Sequence, residues 1–434
     1  MLLRISKIIL LIVLLAACSG QDTTSEDAST PTAITPTSTP IIQPSAIPTT
    51  ESTPSNMQNL VVWWPDALSP SDRSEVADLI NEQIREFSVS ENDLVNVDFR
   101  LKRYSDVGGI ISTLRAASGV APGAIPDVTL IRREDLISAV QSGLVYPLEG
   151  LISFGVISDM YDPALELGQF NGQLYGLPYM LDVQITAYRA EETRTDWTFD
   201  AVLGYDVPLV FPARRVNGVN RQFFIQYLAA GGTPPTADGT LMMNQTALSK
   251  VLEFYENAYE LGIIPEEVAN YSSISDYLPA FILEEINMAT ITTTTYFDLQ
   301  ASGDLLQIAS IPTLDGDSTG ALNGWMWVIT TPNVEQQELA ASFINWMMDI
   351  QRQRDFGGGV HMLPSQRTAL QGLDDDMVDI SSLDMIVSGS VPPLSDLLNG
   401  SVARTLQNAF ISVITGESTA DEATEAVMDQ LSTN

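Results

Sequence analysis

NLVVWWPD, residues 59–66, is an apolar run that ends near a proline, and it is the first of three strand-like segments. The other two are VNVDFRLK (95–102) and PDVTLIR (126–132). Between them, apolar residues recur at helical spacing at 71–89, where Ser71 is the predicted N-cap, and at 108–119. Strands that alternate with helices predict an α/β protein with a parallel sheet covered on both faces.

The residues just after these strands are the first candidates for a site. In open α/β sheets a ligand lies beyond the carboxyl ends of the strands. This rule selects Trp64 and Asp66 after the first strand, and Arg132 and Arg133 after the third. For the two arginines, an ordinary surface position is the favoured interpretation.

The rest of the chain is richer in helix. QTALSKVLEFYENAYELGII (245–264) and VEQQELAASFINWMMDIQRQRDF (334–356) each predict one amphipathic helix. The glycine run FGGGV (356–360) predicts a helix cap and a loop. Residues 401–434 predict two short helices separated by Gly416.

A strand is also predicted at ALNGWMWVITT, residues 321–331. Alternation places Trp325 and Trp327 on one face of that strand. That face belongs either to the core or to a platform for a flat, partly apolar ligand.

The first twenty residues, MLLRISKIILLIVLLAACSG, have the form of a secretory signal, which we assign to 1–17. Its apolar stretch is too short for a stable transmembrane helix. Residues 15–18 resemble the bacterial lipobox, in which the cysteine is acylated. Because Cys18 is the only cysteine, it has no disulfide partner. Lipid attachment is therefore favoured over an ordinary signal peptide with an incidental cysteine, and it would anchor the protein to a membrane.

Residues 18–58 form a predicted tether. They are rich in Thr, Pro and Ser and contain few residues that could build a core. In polyproline geometry such a segment reaches on the order of 100 Å. The folded part of the chain is therefore expected to stand away from the membrane.

The charge balance excludes one class of partner. The chain has 20 basic and 55 acidic residues and a formal net charge of −35. Such a surface repels nucleic acid, whose binding depends on Lys and Arg that neutralise phosphates. A surface adapted to its medium is the favoured interpretation, and a cationic partner is an alternative without support.

The sequence offers little for catalysis. His361 is the only histidine, and no Gly-x-Ser-x-Gly motif accompanies it. Zinc sites built from several His or Cys are excluded, and no glycine motif for phosphate or dinucleotide binding occurs. A pair of carboxylates of the glycosidase kind stays open, although no acidic residue lies in a recognisable motif. We therefore predict a protein that is not an enzyme and that has neither metal nor cofactor.

Six stretches, in order along residues 59–434, together resemble the bacterial family 1 extracellular solute-binding lipoproteins, the sugar-type receptors of ABC importers. The most diagnostic is FNGQLYGLPYMLDVQITAYRAE (170–191), which is similar to the family's Gly-x-x-Tyr-Gly-Leu-Pro run and the strand that follows it. The other five are AIPDVTLIRREDLISAVQSGLVYPLEGLI (124–152), AFILEEINMAT (280–290), LNGWMWVITTPN (322–333), GGGVHMLPSQRTAL (357–370) and LQNAFISVITGESTADEATEAVMDQL (406–431).

This resemblance implies a periplasmic-binding-protein-like fold, with two α/β lobes joined by crossing hinge strands. The ligand is expected in the cleft, which closes by hinge bending. The first lobe is expected from 59–183 plus 333–355, and the second from 188–323 plus 357–434. The strands at 183–188 and 324–331 are then the hinge.

The resemblance also implies which side chains meet the ligand. Sugars have apolar C–H faces and polar edges, so aromatic stacking and carboxylate acceptors are expected. Trp325 is the expected platform, and Trp327 is expected in the core. The full set of expected ligand-binding residues is Trp64, Asp66, Tyr179, Asp182, Tyr296, Trp325, His361 and Arg367.

Two departures from the family pattern bear on this set. TITTTTYFDL (290–299) presents Tyr296 after four threonines where the family has Gly-x-Trp, which implies a wall richer in hydroxyl groups. Asn323 replaces the first of two glycines before Trp325. Either the turn is altered there or Asn323 adopts a left-handed conformation.

The function implied by the resemblance is that of a membrane-anchored, extracytoplasmic and monomeric receptor. It would bind a mono- or oligosaccharide and deliver it to the permease of an ABC importer, whose subunits are other chains. Three alternatives stay open: the same fold with a polyol, a sugar phosphate or another polar solute; a surface lipoprotein glycosidase or lyase; and a structural or adhesive surface protein.

Overall fold

The computed structural model describes residues 57–69, 73–190, 193–236, 238–373 and 379–432. The predicted signal peptide, Cys18, all but the last two residues of the tether, and Ser71 lie outside these residues. Predictions about them are therefore carried forward as predictions.

Three parallel strands build the first part of the sheet, as predicted. β1 pairs with β2 from Gln58↔Val95 to Pro65↔Lys102, and with β3 at Val62↔Val128. The carboxyl ends of β1, β2 and β3 therefore lie at one edge. The strands of the described residues are β1 (Gln58–Pro65), β2 (Val95–Lys102), β3 (Val128–Arg132), β4 (Gln169–Phe170), β5 (Gln173–Leu174), β6 (Leu177–Tyr188), β7 (Leu209–Val210), β8 (Met288–Thr292), β9 (Gln307–Ala309), β10 (Ala321–Ile329) and β11 (Leu363–Pro364).

Two long antiparallel strands, β6 and β10, connect the two halves of the molecule. The order of the main sheet is β2-β1-β3-β10-β6-β8-β7, and β9 and β11 also pair with β6. The first half of β6 pairs with β10 and β11, and its second half pairs with β8 and β9. The chain thus crosses between the lobes on β6 and on β10, close to the predicted hinge strands.

Gly324 explains how closely these strands approach. A Cβ atom on Gly324 would lie 2.5 Å from the backbone oxygen of Met180 in β6. Any side chain at this position would push the two crossing strands apart.

Helices cover the sheet, and several of their boundaries differ from the predictions. The first helix begins at Ser74 and has Arg73, not Ser71, as its N-cap residue. The α-helices of the described residues are α1 (Ser74–Ser90), α2 (Ile110–Ala117), α3 (Arg133–Gln141), α4 (Phe154–Asp159), α5 (Asp162–Gly168), α6 (Phe199–Leu203), α7 (Arg221–Ala229), α8 (Gln245–Glu260), α9 (Leu278–Ile282), α10 (Thr293–Ala301), α11 (Val334–Met347), α12 (Ile350–Val360), α13 (Arg367–Gln371), α14 (Ile380–Ser388), α15 (Gly400–Ile414) and α16 (Ala420–Ser432). Short 3₁₀ helices lie at Asp66–Leu68, Pro122–Ala124, Glu266–Asn270, Ile274–Asp276 and Leu394–Leu397.

The stretch 334–356, predicted as one helix, is divided between α11 and α12. The side chain of Asp349 accepts hydrogen bonds from the backbone N–H groups of Gln351 and Arg352, and so it caps a new helix. The glycine run at 356–360 is not a loop but the last turns of α12, which ends at His361 in the left-handed conformation. The two predicted C-terminal helices are confirmed as α15 and α16, with Gly416 at φ +69° between them.

One hydrophobic cluster packs α1, α11 and α12 against β1, β3 and β10. Its largest members are Trp64, Trp325, Trp327 and Tyr179. A larger cluster includes residues of α7, α8 and α15 and of the crossing strands, and it extends to α2 and α3 beside the first strands. The lobes share β6 and β10, and the described residues belong to one compact unit.

Candidate ligand-binding site

The two crossing strands are buried except at three polar residues. In β6 only Asp182 and Gln184 are partly exposed, and in β10 only Asn323. Asp182 and Asn323 are paired across the strands, and Gln184 lies two residues further along β6. Since residues two apart share a face, as do directly paired residues, the three side chains point to the same side. They form the polar floor of the site, a name that we keep below.

Asp182 is held by the start of α10. Its Oδ1 accepts hydrogen bonds from the Oγ1 of Thr293 (3.1 Å), the Oγ1 of Thr294 (3.0 Å) and the backbone N–H of Thr294 (3.0 Å). Burial raises the pKa of Asp182, while these hydrogen bonds and the charge of Arg132 act in the opposite direction. The hydroxyl-rich segment noted in the sequence thus lies directly beside the floor.

The floor keeps hydrogen-bonding capacity to spare. Among the described residues, no group donates to Oδ2 of Asp182 and none bonds the side-chain amide of Gln184. Asn323 Oδ1 accepts from the N–H of Gly324 (2.8 Å), which leaves its Nδ2 group available. Asn323 lies inside β10 and its φ is not positive, so the left-handed alternative is excluded. The floor therefore offers both acceptors and donors.

The wall of the first lobe stands at the carboxyl ends of β1 and β3. Asp66 is exposed there, and its Oδ1 accepts from the N–H of Tyr104 (3.1 Å). The Tyr104 hydroxyl accepts from the N–H of Arg132 (2.9 Å) and donates to Asp135. For Arg132, an ordinary surface position was the interpretation favoured from the sequence, but the residue belongs to this wall. Its charge also lowers the pKa of Asp182.

Trp325 lies beneath this wall and is only 1% exposed. The guanidinium carbon of Arg132 is 4.7 Å from the centre of its ring, and the Tyr104 ring meets it edge-on at 4.6 Å. The structure therefore does not present Trp325 as an open stacking platform. The aromatic ring that is partly exposed here is Tyr104. Trp327 is fully buried, as predicted.

Three more of the expected aromatic contacts are core residues in the structure. Trp64 is 0% exposed, and its Nε1 donates to the backbone oxygen of Leu68. Tyr179 is also fully buried and stacks on Phe356 at 5.3 Å. Tyr296 is 3% exposed, and its hydroxyl accepts from Nε2 of Gln300. Because their rings are enclosed by neighbouring side chains, these three do not reach the floor.

His361 joins a contact between the lobes instead of the floor. Its Nδ1 lies 2.6 Å from Oδ1 of Asp298, on α10. The same oxygen is 2.5 Å from the guanidinium of Arg73, which precedes α1. Arg73 also donates to the backbone oxygen of Gly359. We call Arg73, Asp298 and His361 the bridging cluster, because it ties the first lobe to the second.

Arg367 lies in a different group of side chains. Its guanidinium stacks over Tyr161 at 4.2 Å, donates to Oγ of Ser388 at 3.2 Å and pairs with Asp384 at 3.6 Å. These contacts engage Arg367 away from the residues of the floor. Of the eight expected residues, Asp182 thus belongs to the floor and Asp66 to the wall of the first lobe.

The wall of the second lobe was missed by the sequence analysis. It encloses a cavity of about 200 Å³. The cavity is lined by Gln184 of the floor together with Pro212, Arg214, Arg215, Asn220, Arg221, Gln222 and Ser272. Two signals in the sequence pointed to it: a polar pair at 182 and 184 inside an apolar strand, and an Arg-Arg pair at 214–215.

Two further observations concern metal ligands and membrane-spanning helices in the described part of the chain. Within it, no group of three or more His, Cys, Asp or Glu side chains is arranged to hold a metal ion. No helix within the ranges given above is long and apolar enough to cross a membrane.

Comparison by sequence identifies one family. Residues 89–379, well over half of the chain, match a family model described as bacterial extracellular solute-binding protein. A comparison with curated proteins gives no match.

Comparison by structure finds the same fold in solved proteins. The cyclic α-maltosyl-1,6-maltose binding protein of Arthrobacter globiformis has a TM-score of 0.70 and 16% identity, over 86% of this chain and 97% of that one. A maltose-binding periplasmic protein of Listeria monocytogenes, solved with maltose, has a TM-score of 0.67 and 14% identity, over 87% and 99%. A family 1 extracellular solute-binding protein of Bifidobacterium longum subsp. infantis has 0.61 and 15%, over 87% and 100%. The two-lobed fold expected from the sequence is confirmed.

Proposed function

Because this chain belongs to the bacterial extracellular solute-binding protein family, we propose that it captures a carbohydrate between its lobes and presents it to the permease of an ABC importer. The family places its action outside the cytoplasm. The permease and its ATPase are then separate chains.

The observation that carries the proposal is the polar floor. Asp182, Gln184 and Asn323 are the partly exposed residues of two strands that are otherwise buried. A folded protein has no structural need for three polar side chains with unused hydrogen-bonding capacity at the junction of its lobes. Sugar hydroxyls both donate and accept, and so they match an acidic acceptor flanked by two amides.

The walls suit a sugar as well. Tyr104 offers a partly exposed aromatic ring for the C–H face of a pyranose. Thr294 and Asp66 add polar groups on opposite sides. Solved proteins of the same fold are named for malto-oligosaccharides, which supports a carbohydrate over other polar solutes.

We further propose that the protein works as a monomer, held to the membrane by a lipid on Cys18 and carried on the tether of residues 18–58. Binding without turnover is part of the same proposal. Asp182, the acid of the floor, accepts hydrogen bonds from the hydroxyl groups of Thr293 and Thr294. Acceptance from hydroxyl groups is the role that binding of a sugar requires of it, and it supports binding without turnover.

A thermal-shift screen tests the proposal. A ligand that binds the native state raises the unfolding midpoint, because it stabilises that state by an amount that grows with the logarithm of one plus the ratio of ligand concentration to Kd. We expect at least one saccharide, and no simple polyol, to raise the midpoint at sub-millimolar concentration. No shift across a broad panel of mono- and oligosaccharides would contradict sugar binding, and release of shorter products from any oligosaccharide would contradict the receptor role.

A further inference from the structure

The cavity in the wall of the second lobe is unusual in its charge. The whole chain has only 20 basic residues against 55 acidic ones. Three of those basic residues, Arg214, Arg215 and Arg221, nevertheless line one cavity of about 200 Å³ next to Gln184 of the floor. We call these three the arginine cluster.

One carboxylate, that of Asp396, pairs with two of these three arginines. Asp396 lies 2.6 Å from the guanidinium of Arg215 and 2.8 Å from that of Arg221. Arg214 is exposed and forms no ion pair with any described residue. The Nε of Arg221 is buried, and within the described chain it has no hydrogen-bond partner. The cluster therefore holds unused positive charge and an unused donor.

The opposite wall adds to the positive charge. Arg133, at the start of α3, is close enough to Asp396 for that carboxylate to act on its pKa, although burial is the larger effect and lowers it. Burial is also the main cause that lowers the pKa of Arg215, and the charge of Arg221 lowers it further. Glu134 is the other acid that acts on Arg215. The guanidinium of Arg133 itself donates to the backbone oxygens of Leu167 and Gln169, so Arg133 adds positive charge beside the cavity but does not line it.

An interpretation in which the arginines only fix the 394–397 segment does not account for these facts. The contacts of Arg215 and Arg221 with Asp396 would serve that purpose. They do not explain the exposed Arg214, which also lines the cavity, and they leave Nε of Arg221 without a hydrogen-bond partner among the described residues. Guanidinium groups bind carboxylate, sulfate and phosphate groups through two parallel hydrogen bonds, which is the chemistry that such a cluster offers.

Building on the proposed function, we propose that the solute is a carbohydrate with an acidic group, and that Arg214 and Arg221 bind this group in the cavity while the polar floor binds the adjacent hydroxyls. The acidic group is a carboxylate, a sulfate ester or a phosphate ester. The three share the recognition chemistry of the arginine cluster, and the experiment below separates them.

Calorimetric titration of the full chain with matched probes tests this. The probes are a neutral malto-oligosaccharide, an oligogalacturonate and a sulfated oligosaccharide of the same length, and a hexose 6-phosphate. We expect at least one acidic probe to bind at least about tenfold more tightly than the neutral oligosaccharide. The affinity of this acidic probe should fall as the salt concentration rises from 20 to 200 mM, because salt screens the attraction between partly exposed charges.

Two variants locate the acidic group. Arg214→Gln and Arg221→Gln should each weaken the acidic probe about tenfold to a hundredfold, the range for a hydrogen bond to a charged group. Arg214 is exposed, so its variant should fold normally. Arg115→Gln, on the exposed surface of α2 and outside the cavity, is the matched control and should change nothing.

The outcomes separate the two proposals. If the neutral oligosaccharide binds as tightly as every acidic probe, or if Arg214→Gln and Arg221→Gln leave the affinity for the acidic probe unchanged, the acidic-carbohydrate proposal is wrong and the receptor function stands. If no probe and no saccharide of the wider panel binds, both proposals are wrong.

Discussion

Asp182 of β6 and Asn323 of β10 are paired across the two strands that join the lobes, and each is partly exposed where its neighbours along the strand are buried. The pair lies where the chain crosses from one lobe to the other. A ligand bound to both side chains contacts the two crossing strands at once, so that binding would act directly on the strands that the sequence predicts as the hinge.

Replacing Asp182 by Asn tests its role as an acceptor. An amide keeps an oxygen for Thr293 and Thr294 but loses the negative charge and one acceptor. We expect Asp182→Asn to weaken ligand binding by about 1.5–3 kcal/mol, measured by calorimetry. Asp421→Asn, an exposed position on α16, is the control, and an unchanged affinity in Asp182→Asn would remove Asp182 from the site.

Asp182→Asn also tests whether the stability of the protein depends on pH through this carboxyl group. Burial raises the pKa of Asp182 above its ordinary value of 3.8. Between pH 3.8 and the raised pKa of Asp182 in the native state, the native state binds a proton more readily than the unfolded chain does. The free energy of unfolding therefore falls as the pH rises through this range. Without ligand, Asp182→Asn should therefore be more stable than the parent protein at pH 7. Urea titrations should show the difference shrinking as the pH falls toward 3.8, and a difference that grows instead would contradict the argument.

The bridging cluster should favour the closed arrangement of the lobes. Asp298 on α10 bonds both Arg73 and His361, so Asp298→Asn removes the charge that they share. Because these side chains are partly exposed, we expect a loss of ligand affinity of at most about 1 kcal/mol, together with a larger radius of gyration by small-angle scattering. Glu82→Gln removes an exposed ion pair within α1 and is the matched control. Equal radii for both variants would show that the cluster does not hold the lobes together.

Two glycines give opposite predictions. Gly324→Ala places a Cβ atom 2.5 Å from the backbone oxygen of Met180 and should destabilise the protein by about 1–3 kcal/mol. Gly358, on the exposed side of α12, has no atom within 4 Å of such a Cβ. Gly358→Ala should therefore stabilise the protein by about 0.5–1 kcal/mol. Denaturant midpoints measure both, and a tolerated alanine at 324 would mean that the crossing strands can separate.

Trp325 and Trp327 should behave alike in stability. Both are almost completely buried, so each change to Ala should cost about 3–5 kcal/mol in the free energy of unfolding. The resemblance led us to expect Trp325 as the ligand platform, whereas its burial makes a loss of stability the expected effect of this change. A stable Trp325→Ala variant that has lost binding would restore the original expectation.

Lipid attachment at Cys18 stays a prediction from the sequence. Growth with a labelled fatty acid should label the parent protein, and Cys18→Ser should abolish both the label and membrane association. Label retained in Cys18→Ser would show that the lipid is attached elsewhere.

Local pattern predicted the framework well. The second strand was predicted at 95–102 and lies at Val95–Lys102, because alternation and apolar content are local signals. Gly416 was correctly placed between two helices, because a positive φ favours glycine. The break at Asp349 was missed since a single capping side chain, and no change in hydrophobicity, divides the helix there.

The site was less predictable, for a physical reason. Asp182 was found because it follows a recognisable stretch of the strand. Arg221 and Asp396 are 175 residues apart in the chain, and only the folded arrangement shows that they meet. The sequence also could not show that Arg132 covers the ring of Trp325, because that contact joins two strands from distant parts of the chain.

Because β6 and β10 supply the floor, they also constrain how the ligand specificity of such a receptor can change during evolution. A substitution at Asp182, Gln184 or Asn323 alters ligand recognition and also the two strands that connect the lobes. We therefore expect few replacements to be tolerated at these positions. Arg214 and Tyr104 stand on loops that do not cross between the lobes. We expect new specificities to arise first on such loops, with the shared strands unchanged beneath them.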